Sequence, residues 1–112
     1  FRRQRQMCIR DRYVGAYSAT KAALIQITKS QSIELAKYNI CVNALAPGYI
    51  LTDINRDQLE GETGDLLKRK IPLKRFATVD ELDTIISMLL NVSNTYMTGA
   101  VIAVDGGLST GL

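Results

Sequence analysis

The chain has 112 residues, 46% of them hydrophobic and 22% charged, with a net charge of +3 at neutral pH. That length and balance fit one globular domain around a single core and exclude a disordered or collagen-like chain. Histidine is absent, which excludes a Ser-His-Asp triad and most metal centres, and no apolar run approaches the length of a membrane span.

The positive charge sits at one end. Residues 1–12 carry five arginines against Asp11, a net +4, which leaves −1 for residues 13–112. A basic arm that binds nucleic acid or a membrane is the functional reading of such a segment. The segment has no apolar stripe and no cleavage-site pattern, so it is not a signal peptide. Met7-Cys8-Ile9-Arg10-Asp11-Arg12 looks like the translation of a sequencing adaptor, and residues 1–12 are therefore read as foreign to the domain. No nucleic-acid or membrane partner is expected. Cys8 and Cys41 lie in unlike contexts and imply no disulfide framework, and Cys41 reads as a small core hydrophobe. These features favour a soluble, cytoplasmic protein.

Residues 17–38 read as a long helix with apolar residues on several faces and no internal glycine or proline. Such a helix is expected to be largely buried, between a sheet and another helix or subunit. Asn39 stops it, and residues 40–46 (ICVNALA) read as a short apolar strand covered on both faces, ended by the turn at Pro47-Gly48. Residues 52–73 are polar and irregular, a mobile segment over a site with a short helix at residues 64–70. A second helix starts at Thr78 as N-cap with Glu81 completing a capping box, and its apolar face is Leu82, Ile85, Ile86, Leu89 and Leu90. After a turn over residues 91–99, residues 100–104 form a second strand, closed by Asp105-Gly106-Gly107. Helix, strand, loop, helix, strand implies a parallel β-α-β unit, and two such strands need further strands and covering helices.

Tyr17 and Lys21 stand four apart on the first predicted helix, so they share a face. The spacing alone is weak, because composition alone produces Tyr-x3-Lys pairs readily. Its context is more specific: Tyr17-Ser18-Ala19-Thr20-Lys21-Ala22-Ala23-Leu24, then Val42-Asn43-Ala44-Leu45-Ala46-Pro47-Gly48, then Val104-Asp105-Gly106-Gly107. Over residues 13–112 these blocks, in this order and at these separations, resemble the C-terminal part of the short-chain dehydrogenase/reductase family. The resemblance implies an α/β fold, the C-terminal portion of a Rossmann-type doubly wound parallel sheet. It implies hydride transfer between NAD or NADP and an alcohol or carbonyl substrate. Tyr17 then matches the family's general acid/base, and Lys21 the residue that lowers the phenol's pKa and holds the nicotinamide ribose. Pro47 and Gly48 match the turn that lies against the nicotinamide, while Ile50 and Thr52 match contacts to the carboxamide and the phosphates. No metal is implied, Asp105-Gly106-Gly107 reads as structural, and family members usually form homo-tetramers.

The resemblance has gaps. Position 4, where the family motif expects a serine, is Gln4, and the Gly-rich turn that binds the cofactor's pyrophosphate is not in this sequence. The expectation is thus an incomplete oxidoreductase domain, inactive as an isolated chain. A non-catalytic module that associates with full-length relatives through its helix faces is the alternative.

Overall fold

The computed structural model describes residues 14–110, with only the backbone described for residues 14, 15 and 17. The arm at residues 1–12, with Gln4 and Cys8, lies outside the described residues.

Helix α1 spans Val14–Leu35, tightens into a 3-10 turn at Ala36–Tyr38, and stops at Asn39, whose φ of 58° is left-handed. Asparagine tolerates that conformation better than most residues, so the sequence signal for the helix end holds. The expected burial does not. Leu24, Ile27 and Ile33 are 54%, 51% and 78% exposed, and the helix residues that are buried among those described are Thr28 and Ser32. Their hydroxyls are satisfied within the helix, by Leu24 O at 2.8 Å and Lys29 O at 2.6 Å, which is what lets them sit inside. A Cβ on Gly99 would come within 2.8 Å of Ser32 Oγ, so the helix meets the approach to the second strand through small groups.

Strand β1 (Ala44–Pro47) pairs in parallel with β2 (Val101–Val104), in the register Ala44 to Val101 through Pro47 to Val104. Helices with a parallel sheet are the expected α/β architecture. The first strand is shorter at its start than the apolar run at residues 40–46 suggests, and Asn43 explains why. Its amide group donates to Met97 O at 2.9 Å and accepts from Ala100 N–H at 3.1 Å, while Val42 N–H donates to Thr98 Oγ1. Side chains thus replace the ladder at that end.

The larger difference lies at residues 52–73. The expected short helix at residues 64–70 is there as α3 (Glu62–Lys70), and α2 (Arg56–Leu59), which the sequence pattern does not foresee, precedes it. Leu59 and Ile71 of this region, with Phe76, are the buried hydrophobic residues among those described, with Leu51, Leu67 and Leu108 packed around them. These apolar residues are too widely and unevenly spaced to show a helical period in the sequence, yet they converge in three dimensions. Gly64 allows it, because a Cβ there would lie 1.7 Å from Leu59 O. The two ends of the segment are also tied together. Leu51 N–H donates to Ala77 O and Ala77 N–H to Tyr49 O, and the Tyr49 and Phe76 rings meet edge to face at 6.0 Å.

Helix α3 ends in Lys68, Arg69 and Lys70, which suits the negative end of its dipole, and Lys74 Nζ donates to Arg69 O at 2.5 Å. Helix α4 (Val79–Leu90) starts as the sequence predicts: Thr78 is the N-cap, and its N–H donates to Glu81 Oε2 at 2.8 Å. Glu81 also grips Arg75 in a fork at 2.7 and 3.0 Å.

Gly64→Ala must displace the backbone of Leu59, and is expected to destabilise the chain by about 3 kcal/mol in thermal or urea unfolding. The hydrogen bond from Arg75, then that from Thr78, holds the Glu81 carboxyl down at about 2 from its ordinary 4.5. A lowered folded-state pKa contributes stability above the ordinary value that is lost as pH falls toward the folded one. The thermal midpoint should therefore decline between about pH 4.5 and 2, and Glu81→Gln should flatten part of that decline.

Candidate active site

The parallel strands end side by side, and the chain turns away from β1 at Gly48 and from β2 at Asp105. Gly48 N–H continues the ladder by donating to Val104 O at 2.9 Å. A Cβ on Gly48 would fall 2.7 Å from Asp105 Cα and 2.8 Å from Asp105 Cβ. The glycine is therefore required by the neighbouring turn, a reason the sequence does not reveal. The Asp105 carboxylate accepts from Gly107 N–H at 3.0 Å and from Ser109 N–H at 2.9 Å. Hydrogen bonding from Ser109, first through its side chain, holds that carboxyl below its ordinary value. Gly106 and Gly107 adopt φ of 63° and 89° and seat Ile71 and Pro72, whose side chains would touch any Cβ placed there. The Asp105-Gly106-Gly107 turn thus has a structural explanation.

Along the length of β1 lies a cleft of about 420 Å³ that reaches this end of the sheet. One wall is α1, through Lys21, Leu24 and Ile25, which the helical repeat brings to one face. The opposite wall is β1 from Ala44 to Pro47, then Gly48, with Val101 of β2 behind. Lys21 thus shares a cleft with Pro47 and Gly48, although the two segments are more than twenty residues apart. Tyr17 stands one helical turn before Lys21 in α1, and its side chain lies outside the described part of the molecule.

Ile50 and Thr52 do not line this cleft. They continue the chain beyond Gly48, both half-buried. Among the described residues, Ile50 N–H and the Thr52 hydroxyl have no hydrogen-bond partner, whereas Thr52 N–H donates to Asn55 Oδ1 at 2.7 Å. Asn55 was missed in the sequence, where it reads as one more polar loop residue; the Asx signal three residues after Thr52 could have marked it. A second, smaller hollow of about 120 Å³ lies on the other side of the strand ends, between Tyr49, Leu73, Arg75, Glu81 and Gly106. No helix among the described residues is long and apolar enough to cross a membrane.

The cleft brings one ammonium and a glycine without a side chain to apolar walls, and the chain beyond it carries an amide and a hydroxyl with no hydrogen-bond partner among the described residues. Ammonium, amide and hydroxyl donors beside apolar walls suit a ligand that carries hydrogen-bond acceptors.

A family model described as enoyl-(acyl carrier protein) reductase matches residues 6–109. The 3-oxoacyl-[acyl-carrier-protein] reductase of Aquifex aeolicus is 45% identical over 92 residues, which cover 82% of this chain and 37% of that protein. The crystal structure of a short chain dehydrogenase family protein from Francisella tularensis aligns at a TM-score of 0.78 with 33% identity, covering 86% of this chain and 44% of that one. A gluconate 5-dehydrogenase from Burkholderia cenocepacia, solved with NADP and tartrate, aligns at 0.80 with 34% identity, over 88% of this chain and 39% of that one. The chain therefore spans little more than a third of the relatives' length.

Gly48→Ala is expected to push the two turns apart. A thermal midpoint lowered by the equivalent of about 1–3 kcal/mol, with amide shifts at Asp105 as well as at Gly48, would mark the contact as structural.

Proposed function

The chain belongs to the short-chain dehydrogenase/reductase family, and from that premise we propose that it forms part of an NAD(P)-dependent oxidoreductase interconverting a secondary alcohol and a ketone. The observation that carries the reading is the cleft itself: Lys21 and the Pro47-Gly48 turn both line it. The cofactor, when bound, supplies or accepts the hydride at the substrate carbon. Everything else is the work of this chain's side chains and backbone.

Tyr17 is the general acid/base in this proposal. A phenol ordinarily loses its proton near pH 10, too high for a base at neutral pH. An ammonium one helical turn away stabilises the phenolate and brings proton transfer into the working range. Tyr17 then donates its proton to the substrate oxygen during reduction and takes it back during oxidation. Lys21 has a second task, a hydrogen bond to the nicotinamide ribose. Pro47 and Gly48 give the nicotinamide a flat backbone to lie against, and Ile50 N–H and the Thr52 hydroxyl are the free groups for its carboxamide and phosphates.

Neither NAD nor NADP is favoured by these residues, and they do not select a substrate. One relative is named for 3-oxoacyl-carrier substrates and another for gluconate. In the same proposal residues 13–112 are the C-terminal part of the domain and residues 1–12 are foreign to it. Turnover requires the pyrophosphate-binding region that this sequence does not contain. The finished enzyme is a homo-oligomer in the cytoplasm, and the exposed Ile27 and Ile33 of α1 support a further covering surface there.

The test is complementation. With the N-terminal portion of a relative supplied, the chain should oxidise NADH or NADPH in the presence of a ketone, and Tyr17→Phe should lower that rate by at least about a hundredfold with an unchanged thermal midpoint. Intact activity in Tyr17→Phe would remove the catalytic assignment. Tight association with the relative that yields no turnover would favour the interaction-module alternative.

A further inference from the structure

We infer that Asn55 is a positioning residue that shapes the Ile50–Thr52 segment for the cofactor, an inference that rests on the reading just given. Asn55 occupies the N-cap position of α2, where an asparagine ordinarily turns its side chain onto the helix it precedes. It does not do so: no side-chain cap bond to α2 is formed. The carboxamide is turned backward instead. Its Oδ1 accepts from Thr52 N–H at 2.7 Å and its Nδ2 donates to Ile50 O at 2.8 Å, both partly buried.

One side chain therefore occupies a donor and an acceptor on the two residues that follow the Gly48 turn by two and four positions. What remains without a partner among the described residues is the opposite pair, Ile50 N–H and the Thr52 hydroxyl. Asn55 thus decides which hydrogen-bonding groups this stretch offers to a ligand. The far side of the same stretch is fixed by Leu51 N–H to Ala77 O, so the segment is held from both flanks. With Asn55 removed, Thr52 N–H and Ile50 O become free to compete for the ligand's carboxamide or to let the turn relax.

The full 112-residue chain can be titrated with nicotinamide mononucleotide, which probes the nicotinamide end alone, while amide resonances are followed by NMR. The unaltered chain should show shifts at Gly48, Ile50 and Thr52. Asn55→Ala should weaken binding by about fivefold to tenfold and speed hydrogen exchange at Thr52. Asn55→Asp keeps the acceptor for Thr52 N–H but loses the donor to Ile50 O, so near neutral pH it should bind weakly while Thr52 stays protected. As pH falls through the carboxyl range near about 4, the protonated side chain regains a donor. Binding by Asn55→Asp should then recover, and that of Asn55→Ala should not. Equal affinity in Asn55→Ala, or losses that merely follow each variant's thermal midpoint, would overturn the role of Asn55 alone. An unaltered chain whose resonances ignore the mononucleotide would overturn the cofactor reading, and this role with it.

Discussion

The contact on which the site depends is between two turns. Where β1 and β2 end together, Gly48 lies against Asp105 so closely that no side chain fits between them. Parallel strands in register deliver their ends to one edge of the sheet, and open α/β sheets bind ligands at that edge. Here the register sets Pro47 opposite Val104, so the turn of one strand is the floor of the other. Helix α1 closes the opposite side of the cleft through Lys21. A helix-borne ammonium and a strand-end turn, far apart in sequence, are thereby brought to one volume.

The same edge organises the segment that follows. Gly106 and Gly107 receive Ile71 and Pro72, and Leu73 N–H donates to Gly106 O at 3.2 Å. The exit of the segment at residues 52–73 is thus seated on the turn that also meets Gly48. Its entry is held by the pairing of Tyr49 and Leu51 with Ala77. Between them Leu59, Ile71 and Phe76 form a small core, each burial worth about 1.5–3 kcal/mol. A segment that reads as polar and irregular in the sequence thus carries, with Phe76, the best-buried apolar residues among those described.

What the sequence disclosed and what it hid divide along physical lines. The Thr78 and Glu81 capping box, the Asn39 stop and the Pro47-Gly48 turn are local patterns, each fixed by residues within one turn of one another. Chain order and spacing sufficed for those. A parallel β-α-β unit followed from two apolar strands separated by a helical crossover, and the Rossmann-type class from the resemblance. Hidden were features that depend on what lies across space. Asn43 ends the ladder early by bonding Met97 and Ala100, Gly48 is demanded by Asp105, and α2 and α3 pack through Gly64. The expected burial of α1 failed for a related reason. Its apolar residues call for a covering surface, yet among the described side chains of α1 the buried ones are the polar Thr28 and Ser32.

That exposure raises the question of what holds the cleft in shape when its apolar walls are so sparsely covered. Three short polar side chains supply the answer. Asn43 bridges the starts of the two strands by bonding Met97 O and Ala100 N–H, Asp105 caps the turn at their ends, and Asn55 folds the stretch beyond Gly48 back on itself. Each satisfies backbone groups that a regular ladder or helix would otherwise have to satisfy, and an unsatisfied buried group costs about 1–3 kcal/mol. Hydrophobic burial is non-directional and fixes only that two surfaces meet. The directional bonds fix which backbone groups stay unpaired, and in this chain they stand at the strand starts, the strand ends and the stretch beyond Gly48. The geometry of the site is thus more local than the burial of the fold around it.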